Sequence, residues 1–317
     1  MTIGVEVIHC HHRRLGRKRH GRRVQRACEE AQAQEAGEEE LSHLPHIGKP
    51  APRGKPGGES GRVSVTRLGG AMAGTEWIDR GDGVRLALAH TPGEGPLVVF
   101  LPGYMSDMAG TKALHLEGWA ERRGRAFLRF DYSGCGRSHG RFEAGSIRRW
   151  AADARAVIEA RAPADPLILV GSSMGGWIML HLALSLGERV RALVGIAAAP
   201  DFTSWGLALS EEDRARLRDE GEISRPSRYG PDPYRYTRAL IEDGGAALLL
   251  ERPIPFHGPV RLLHGEADPD VPWAISLRLM AALGSGDVRL TLVKGGDHRL
   301  SAPGDLALLE ATLEELC

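Results

Sequence analysis

The chain lacks regularly spaced cysteines, a net charge and long apolar runs, and each of these absences excludes a class of protein. Its 317 residues include four cysteines, Cys10, Cys28, Cys135 and Cys317, with no regular spacing, which excludes a disulfide framework and favours a reducing compartment. The formal net charge is zero, so we expect no nucleic-acid partner and no strong attraction to a membrane surface. The longest apolar runs, such as LVVFL at 97–101, are far too short for a membrane span.

Signals for targeting, metals and nucleotides are also missing. Few apolar residues precede the first basic cluster, which is unlike a secretory signal peptide. The histidines and cysteine at 9–12 have no second Cys/His pair at the spacing of a zinc site. No nucleotide-binding motif occurs, so we expect an activity that needs neither a metal nor another cofactor.

Composition divides the chain near Met72. Residues 13–26 are dense in arginine, residues 29–40 are rich in glutamate, and residues 47–62 are rich in glycine and proline. Such segments bury too little apolar surface to offset the entropy of ordering them. We therefore expect residues 1–71 to be a mostly disordered charged tail and residues 72–317 to form the globular domain.

From residue 75 onward, short apolar runs alternate with segments of helical periodicity. This alternation predicts a doubly wound α/β fold with a mostly parallel sheet. The predicted strands are 84–91, 97–101, 126–130, 167–170, 192–197, 260–264 and 288–293, and the predicted helices are 111–122, 147–161, 175–186, 273–283 and 305–316. The interval 201–256 is too long for a simple crossover, so it predicts a small helical cap over the carboxyl ends of the strands, where open α/β sheets bind ligands.

The stretch VGSSMGGW contains Gly171, Ser173 and Gly175 in a G-x-S-x-G pattern. A strand that turns directly into a helix holds the middle residue on a strained turn, with small residues two positions to either side. Ser172 lacks that register, because its corresponding neighbours are a valine and a methionine. Ser173 is therefore the candidate nucleophile.

A serine nucleophile needs a histidine base that a carboxylate orients, and in this fold these follow the serine in the order acid, then histidine. Asp268 follows the strand that ends in RLLHG, and His298 follows the strand that ends in LTLVKGG. Asp270 and Asp297 lie on the same loops. We favour Asp268 because it comes soonest after its strand, whereas Asp270 precedes a helix and Asp297 adjoins the histidine in the chain.

The loop after the strand at 97–101 should supply part of an oxyanion hole. The backbone N–H groups of Tyr104 and Met174 are the candidate donors, since Met174 begins the helix after the nucleophile. Arg225 and Arg228 in the predicted cap are candidate substrate ligands, because an arginine can hold a carboxylate. The Tyr104 ring is a further candidate contact for substrate.

The motifs GSSMGGW, RFDYSGCGRS and RLLHGEADPDVPW resemble those of the α/β-hydrolase superfamily. Within it they are similar to the subgroup of the mitochondrial palmitoyl-protein thioesterase, also described as a mycophenolic acid acyl-glucuronide esterase. The resemblance implies a catalytic triad of Ser173, Asp268 and His298 that hydrolyses esters or thioesters, on a small molecule or an acylated protein. A serine peptidase and a non-catalytic binding scaffold of the same fold are the alternatives.

The location predicted from the sequence is cytoplasmic. The tail mixes basic and acidic blocks, which is unlike the acid-poor composition of a mitochondrial transit peptide.

Overall fold

The computed structural model describes residues 5–9 and 74–317. The strands are β1 Val5–His9, β2 Glu76–Asp79, β3 Arg85–Thr91, β4 Glu94–Leu101, β5 Arg125–Phe130, β6 Leu167–Ser172, β7 Val190–Ile196, β8 Glu222–Arg225, β9 Tyr234–Thr237, β10 Val260–Gly265 and β11 Val288–Val293. The α-helices are α1 Thr111–Arg123, α2 Ile147–Arg161, α3 Met174–Leu186, α4 Phe202–Trp205, α5 Glu211–Asp219, α6 Arg238–Ala246, α7 Ala274–Ala282 and α8 Pro303–Leu316.

One large sheet runs through the described residues in the order β1-β11-β10-β7-β6-β4-β5-β3-β2. The strands from β11 to β5 pair in parallel, and β1, β2 and β3 join antiparallel at the two edges. The predicted mostly parallel α/β sheet is confirmed. The edge strands β1 and β2 were not predicted. The rest of the predicted tail lies outside the described residues, so its disorder stays a prediction.

Both faces of the central strands are apolar, which explains why these runs contain hardly any polar residues. In β6, Leu167 and Leu169 belong to one core cluster, while Ile168 and Val170 belong to the cluster on the opposite face. This alternation follows from the two-residue period of a strand. Helices α2 and α3 cover the first face, and α1 and α8 cover the second. Helix α3 lies directly behind the candidate nucleophile, and most of its residues are buried.

The insertion between β7 and β10 forms the cap. It contains the helices α4, α5 and α6 and also the antiparallel hairpin β8–β9, which the sequence analysis did not predict. Helix α5 begins at a capping box in which the Ser210 hydroxyl and the Asp213 carboxylate each accept from the other's backbone N–H. The buried Asp201 carboxylate accepts from the backbone N–H groups of Leu249 and Leu250, so it joins the two ends of the insertion.

Candidate active site

Ser173 occupies a strained turn between β6 and α3. Its φ of 54° and ψ of −121° lie in a region that L-residues rarely adopt. The backbone is held there because Ser173 N–H donates to Ile196 O at 2.9 Å, and Ser173 O accepts from Gly176 N and Ala199 N. Strain that is retained under such restraint is typical of functional positions.

The glycines on either side are required by close packing. A Cβ on Gly171 would lie 2.5 Å from Gly175 O, and one on Gly175 would lie 2.1 Å from Leu101 O. These distances are shorter than any real carbon–oxygen contact. The register argument that selected Ser173 rather than Ser172 therefore has a direct steric basis.

The structure brings Ser173, His298 and Asp268 into one hydrogen-bonded row, although 125 residues separate the first two. His298 Nε2 lies 3.1 Å from Ser173 Oγ, and His298 Nδ1 lies 2.8 Å from Asp268 Oδ2. A carboxylate can only accept, so Nδ1 carries the proton and Nε2 presents its lone pair to the serine hydroxyl. This is the arrangement of a nucleophile, a base and an orienting acid.

The Asp268 side chain is 1% exposed, yet it stays ionised. Burial by itself would raise its pKa, but the histidines His264 and His298 outweigh that effect, and the backbone N–H of Val271 adds to theirs. Together they hold the pKa of Asp268 well below its usual range. A negative charge therefore faces the imidazole of His298 at neutral pH.

The other two aspartates considered from sequence are bound elsewhere. The Asp270 carboxylate accepts from the Tyr229 hydroxyl of the cap. The Asp297 carboxylate accepts from the backbone N–H groups of Arg299 and Leu300, each at 3.0 Å, which shapes the loop that presents His298. Among the three, Asp268 is the one hydrogen-bonded to the histidine.

The loop after β4 passes directly over the nucleophile. A Cβ on Gly103 would lie 3.3 Å from Ser172 O and 3.4 Å from Ser173 Cβ, so the backbone of this loop closely approaches the nucleophile. Tyr104 and Met174 line the cavity beside Ser173, and neither backbone N–H has a protein acceptor among the hydrogen bonds of residues 74–317. Two unpaired donors at this point can bind a developing oxyanion.

Two buried side chains hold this loop at Met108. Arg129 donates to Met108 O at 3.0 Å, and the Asp131 carboxylate accepts from Met108 N–H at 2.7 Å. Arg129 is itself fixed by a two-point ion pair with the buried Glu117. Arg129 lies in β5 and Asp131 directly follows that strand, so these contacts fix the loop over the nucleophile to the end of β5.

The Tyr104 side chain joins the loop to the cap. Its hydroxyl donates to the carbonyl of Arg235, and its ring stacks on Tyr236 with the centroids 5.3 Å apart. The rings of Phe142 and Phe202 lie within 6 Å. Burial, together with the nearby Tyr236, raises the pKa of Tyr104, so the hydroxyl stays protonated and remains a donor.

A cavity of about 640 Å³ opens over Ser173 and His298. The sheet edge forms its floor, and the cap lines it both with aromatic side chains, among them Phe202, Trp205 and Tyr236, and with polar and charged ones. This volume is in the range of pockets that hold small organic ligands, roughly 300–1,000 Å³.

Both predicted cap arginines line this cavity, but their surroundings differ. Arg225 lies 2.6 Å from the Asp213 carboxylate, so its charge is already paired. Arg228 is 69% exposed and lies 3.9 Å from Asp270, which leaves it accessible to a ligand. Lys112 and Arg299 also line the cavity, and the sequence analysis assigned neither of them a role. Burial, assisted by Arg299, lowers the pKa of Lys112 to about 8.

Asp268, Asp270 and His298 are the described residues whose side chains could approach a common metal ion, with ligand atoms within 4.8 Å of one another. Each is already bound within the protein. Asp268 contacts two histidines, both nitrogens of His298 have partners, and Asp270 accepts from Tyr229. We therefore assign Asp268 and His298 to the hydrogen-bonded row, and Asp270 to its contact with Tyr229, rather than any of the three to a metal.

Comparison with known proteins agrees with the geometry. Residues 98–307 match the model of the alpha/beta hydrolase family. The chain belongs to the α/β-hydrolase family. It is an enzyme of the hydrolase class, as the sequence motifs predicted. It is 40% identical over 246 residues to the mitochondrial palmitoyl-protein thioesterase ABHD10 of Mus musculus, covering 77% of this chain and 82% of that protein.

Solved structures extend the comparison to three dimensions. A protein of Agrobacterium vitis S4 matches this hydrolase with a TM-score of 0.73 and 40% identity, over 77% of this chain and 98% of that one. The structure of alpha/beta hydrolase domain-containing protein 10 from mouse matches with a TM-score of 0.71 and 39% identity, over the same shares.

The predicted cytoplasmic location is wrong, because the relatives from mouse, cattle, rat and human are all named mitochondrial. The prediction relied on the mixed charge of the tail, and a composition unlike a typical transit peptide does not by itself identify the compartment. Within the described part of the hydrolase, every helix falls short of the length and hydropathy that a bilayer span requires.

Proposed function

We propose that this hydrolase cleaves carboxylic esters or thioesters through an acyl-enzyme, with Ser173 as nucleophile, His298 as general base and Asp268 as the orienting acid. The observation that carries the proposal is the row from Ser173 Oγ through His298 to the buried, ionised Asp268. A serine hydroxyl is a weak nucleophile until a base removes its proton, and this row supplies that base.

In the acylation half, His298 Nε2 accepts the Ser173 proton as Oγ bonds to the acyl carbon. The carbonyl oxygen becomes an oxyanion, which the N–H groups of Tyr104 and Met174 stabilise. The tetrahedral intermediate then collapses, the bond to the leaving oxygen or sulfur breaks, and His298 transfers its proton to the departing alcohol or thiol.

The deacylation half repeats these steps with water. His298 removes a proton from the water that attacks the acyl carbon, and the bond to Ser173 Oγ breaks as His298 returns the proton to it. The products are the free carboxylic acid and the regenerated serine. Asp268 stays ionised throughout and stabilises the imidazolium of His298.

The shape and lining of the cavity support an acyl substrate. The aromatic side chains Phe202, Trp205 and Tyr236 in its lining can contact an apolar acyl group, and relatives of this chain bear the name palmitoyl-protein thioesterase. The acyl group would arrive on a small alcohol or thiol, or on a protein side chain at the cavity mouth. Arg228 is placed to meet a carboxylate on the leaving group, as in an acyl glucuronide, whereas Arg225 is engaged by Asp213.

The test pairs two serine variants. Ser173→Ala should abolish labelling by a fluorophosphonate and hydrolysis of both p-nitrophenyl esters and acyl thioesters. Ser172→Ala should keep both activities, because Ser172 is the last residue of β6 and takes no part in the hydrogen-bonded row. An active Ser173→Ala enzyme would contradict the proposal. Hydrolysis of peptide amides in preference to esters would favour the peptidase alternative, and a wild type that neither labels nor turns over would favour the binding scaffold.

A further inference from the structure

His264 is a buried titratable group that the mechanism above does not use. It is the second-last residue of β10, and its side chain is fully buried. From the sequence, His264 is interpreted as a structural residue without a catalytic role. In the structure its Nε2 lies 3.3 Å from Asp268 Oδ2, the same carboxylate oxygen that accepts from His298. The acid of the catalytic row is therefore shared by two histidines.

The neighbours of His264 determine its protonation. Nε2 faces Val271 O at 2.9 Å and the Asp268 carboxylate, and both of these can only accept hydrogen bonds. Nε2 must therefore carry a proton. Nδ1 lies 2.7 Å from the hydroxyl of Ser276 on α7, which can donate to it. A neutral imidazole with its proton on Nε2 satisfies every one of these partners.

This single N–H acts on Asp268 by two routes. Directly, it faces Oδ2. Indirectly, the His264 N–H holds Val271 in place by donating to its carbonyl, and the backbone N–H of Val271 in turn donates to Asp268 Oδ1 at 2.9 Å. The N–H of Asp270 makes the same contact at 2.9 Å. Both oxygens of the carboxylate are therefore fixed, and its plane is set toward His298.

We propose that His264 is a positioning residue that orients the Asp268 carboxylate and shares its negative charge, and thereby sets the basicity of His298. The proposal rests on the function proposed for the Ser173 row. Loss of the His264 N–H would leave more of the carboxylate charge facing His298. Protonated His298 would then be favoured, so the free base would appear only at higher pH.

Other groups near the row stay constant when His264 is changed. Asp270 and Tyr229 from the cap, together with Arg299 and Lys112, surround His298 and the cavity. None of them contacts the His264 ring, whose partners are Ser276, Val271 and Asp268. A change in pH dependence after substitution of His264 would therefore report on Asp268.

Two variants that carry the same side-chain amide at different lengths test the two ring nitrogens of His264 separately. In His264→Gln the amide nitrogen can take the place of Nε2 and donate to Val271 O and Asp268. In His264→Asn the shorter amide can replace only Nδ1, opposite Ser276. We expect His264→Gln to keep kcat within about threefold, and His264→Asn to lose roughly tenfold to a hundredfold, the effect of one lost hydrogen bond to a charged group.

The pH–rate profile of kcat/KM distinguishes positioning from structural support. For His264→Asn the midpoint of the acid limb should move about 0.5–1 unit to higher pH, while KM stays near the wild-type value. His264→Gln should restore the wild-type midpoint. Equal losses in both variants, or a loss in His264→Asn with an unmoved midpoint, would overturn the proposal.

Melting temperatures of both variants accompany the assay. If His264→Asn does not fold, His264→Gln tests the proposal by itself. A folded His264→Gln variant whose kcat falls more than about tenfold would contradict the role of the Nε2 donor. Failure of the proposed function would look different, since the wild type itself would then hydrolyse esters no faster than Ser173→Ala. That result would overturn both proposals.

Discussion

Replacing Asp268 by asparagine changes one oxygen of the carboxylate to an amide nitrogen and alters little else in volume. The buried carboxylate has N–H groups on both sides. Oδ1 accepts from the backbone of Asp270 and Val271, and Oδ2 faces the rings of His264 and His298. An amide therefore places its NH₂ against donors whichever way it turns.

The backbone donors cannot rearrange, so the amide nitrogen of Asp268→Asn should turn toward the histidines. It then donates to His298 Nδ1 and moves the imidazole proton to Nε2, which faces Ser173 Oγ at 3.1 Å. A protonated Nε2 cannot accept the serine proton. We expect kcat to fall by roughly 10³- to 10⁴-fold, the size of effect known for the wrong tautomer in serine proteases.

Stability should fall much less than activity. The substitution loses charge-assisted hydrogen bonds worth about 1–3 kcal/mol. For a domain of this size that lowers the melting temperature by roughly 2–12 °C. The folded Asp268→Asn variant can therefore be assayed at a temperature well below its unfolding transition. The loss of kcat should persist there, because it comes from the tautomer of His298 and not from unfolding.

The assay is steady-state hydrolysis of a p-nitrophenyl ester, with Asp297→Asn and Asp270→Asn as matched controls. These make the same chemical change on the same two loops, but neither carboxylate is hydrogen-bonded to His298, so each should cost about tenfold or less. If Asp268→Asn keeps kcat within tenfold of wild type, or if one control shows the large loss instead, the assignment of the orienting acid is refuted.

Two further predictions test the packing around the site. Gly175→Ala should prevent folding or abolish activity, because its Cβ would lie 2.1 Å from Leu101 O. The control is Gly245→Ala on α6, whose Cβ would meet nothing within 4 Å. It should leave kcat unchanged and the melting temperature unchanged or slightly higher. Tyr104→Phe removes the hydrogen bond to the Arg235 carbonyl but keeps the stacked ring, so it should lower kcat by about threefold to tenfold. Steady-state kinetics of this variant, with Tyr234→Phe as the control, would check this. If Tyr104→Phe keeps the wild-type kcat, the cap does not support the oxyanion loop.

Local pattern in the sequence was sufficient for much of the fold. The apolar runs of β6 and β11 and the helical periods of α2 and α3 predicted these elements to within two residues at each end. Burial on both faces removes polar residues from a central strand, and this leaves a signal that short windows can detect. The short strands β2, β8 and β9 leave no such signal, because they are half-exposed and carry charged or aromatic residues.

The order of the proposed catalytic residues along the chain was likewise readable, because parallel strands bring their carboxyl ends to one edge. Ser173, Asp268 and His298 each follow such a strand, so knowledge of the fold class was enough to predict that they meet. The choice among Asp268, Asp270 and Asp297 depended on the loop conformation, and hydrogen bonds in the structure show which of them faces His298.

Only the tertiary structure decided which side chains share a partner. From the sequence, Arg225 is a cap arginine available to a substrate, but in the structure its guanidinium is paired with the Asp213 carboxylate. Tyr104 lies 131 residues from Arg235, yet its hydroxyl joins the loop over Ser173 to the cap. His264 is an unremarkable strand residue until α7 and the Asp268 loop close around it. Periodicity records whether a residue faces core or solvent, whereas the partner of a buried polar group is set by elements distant in the chain.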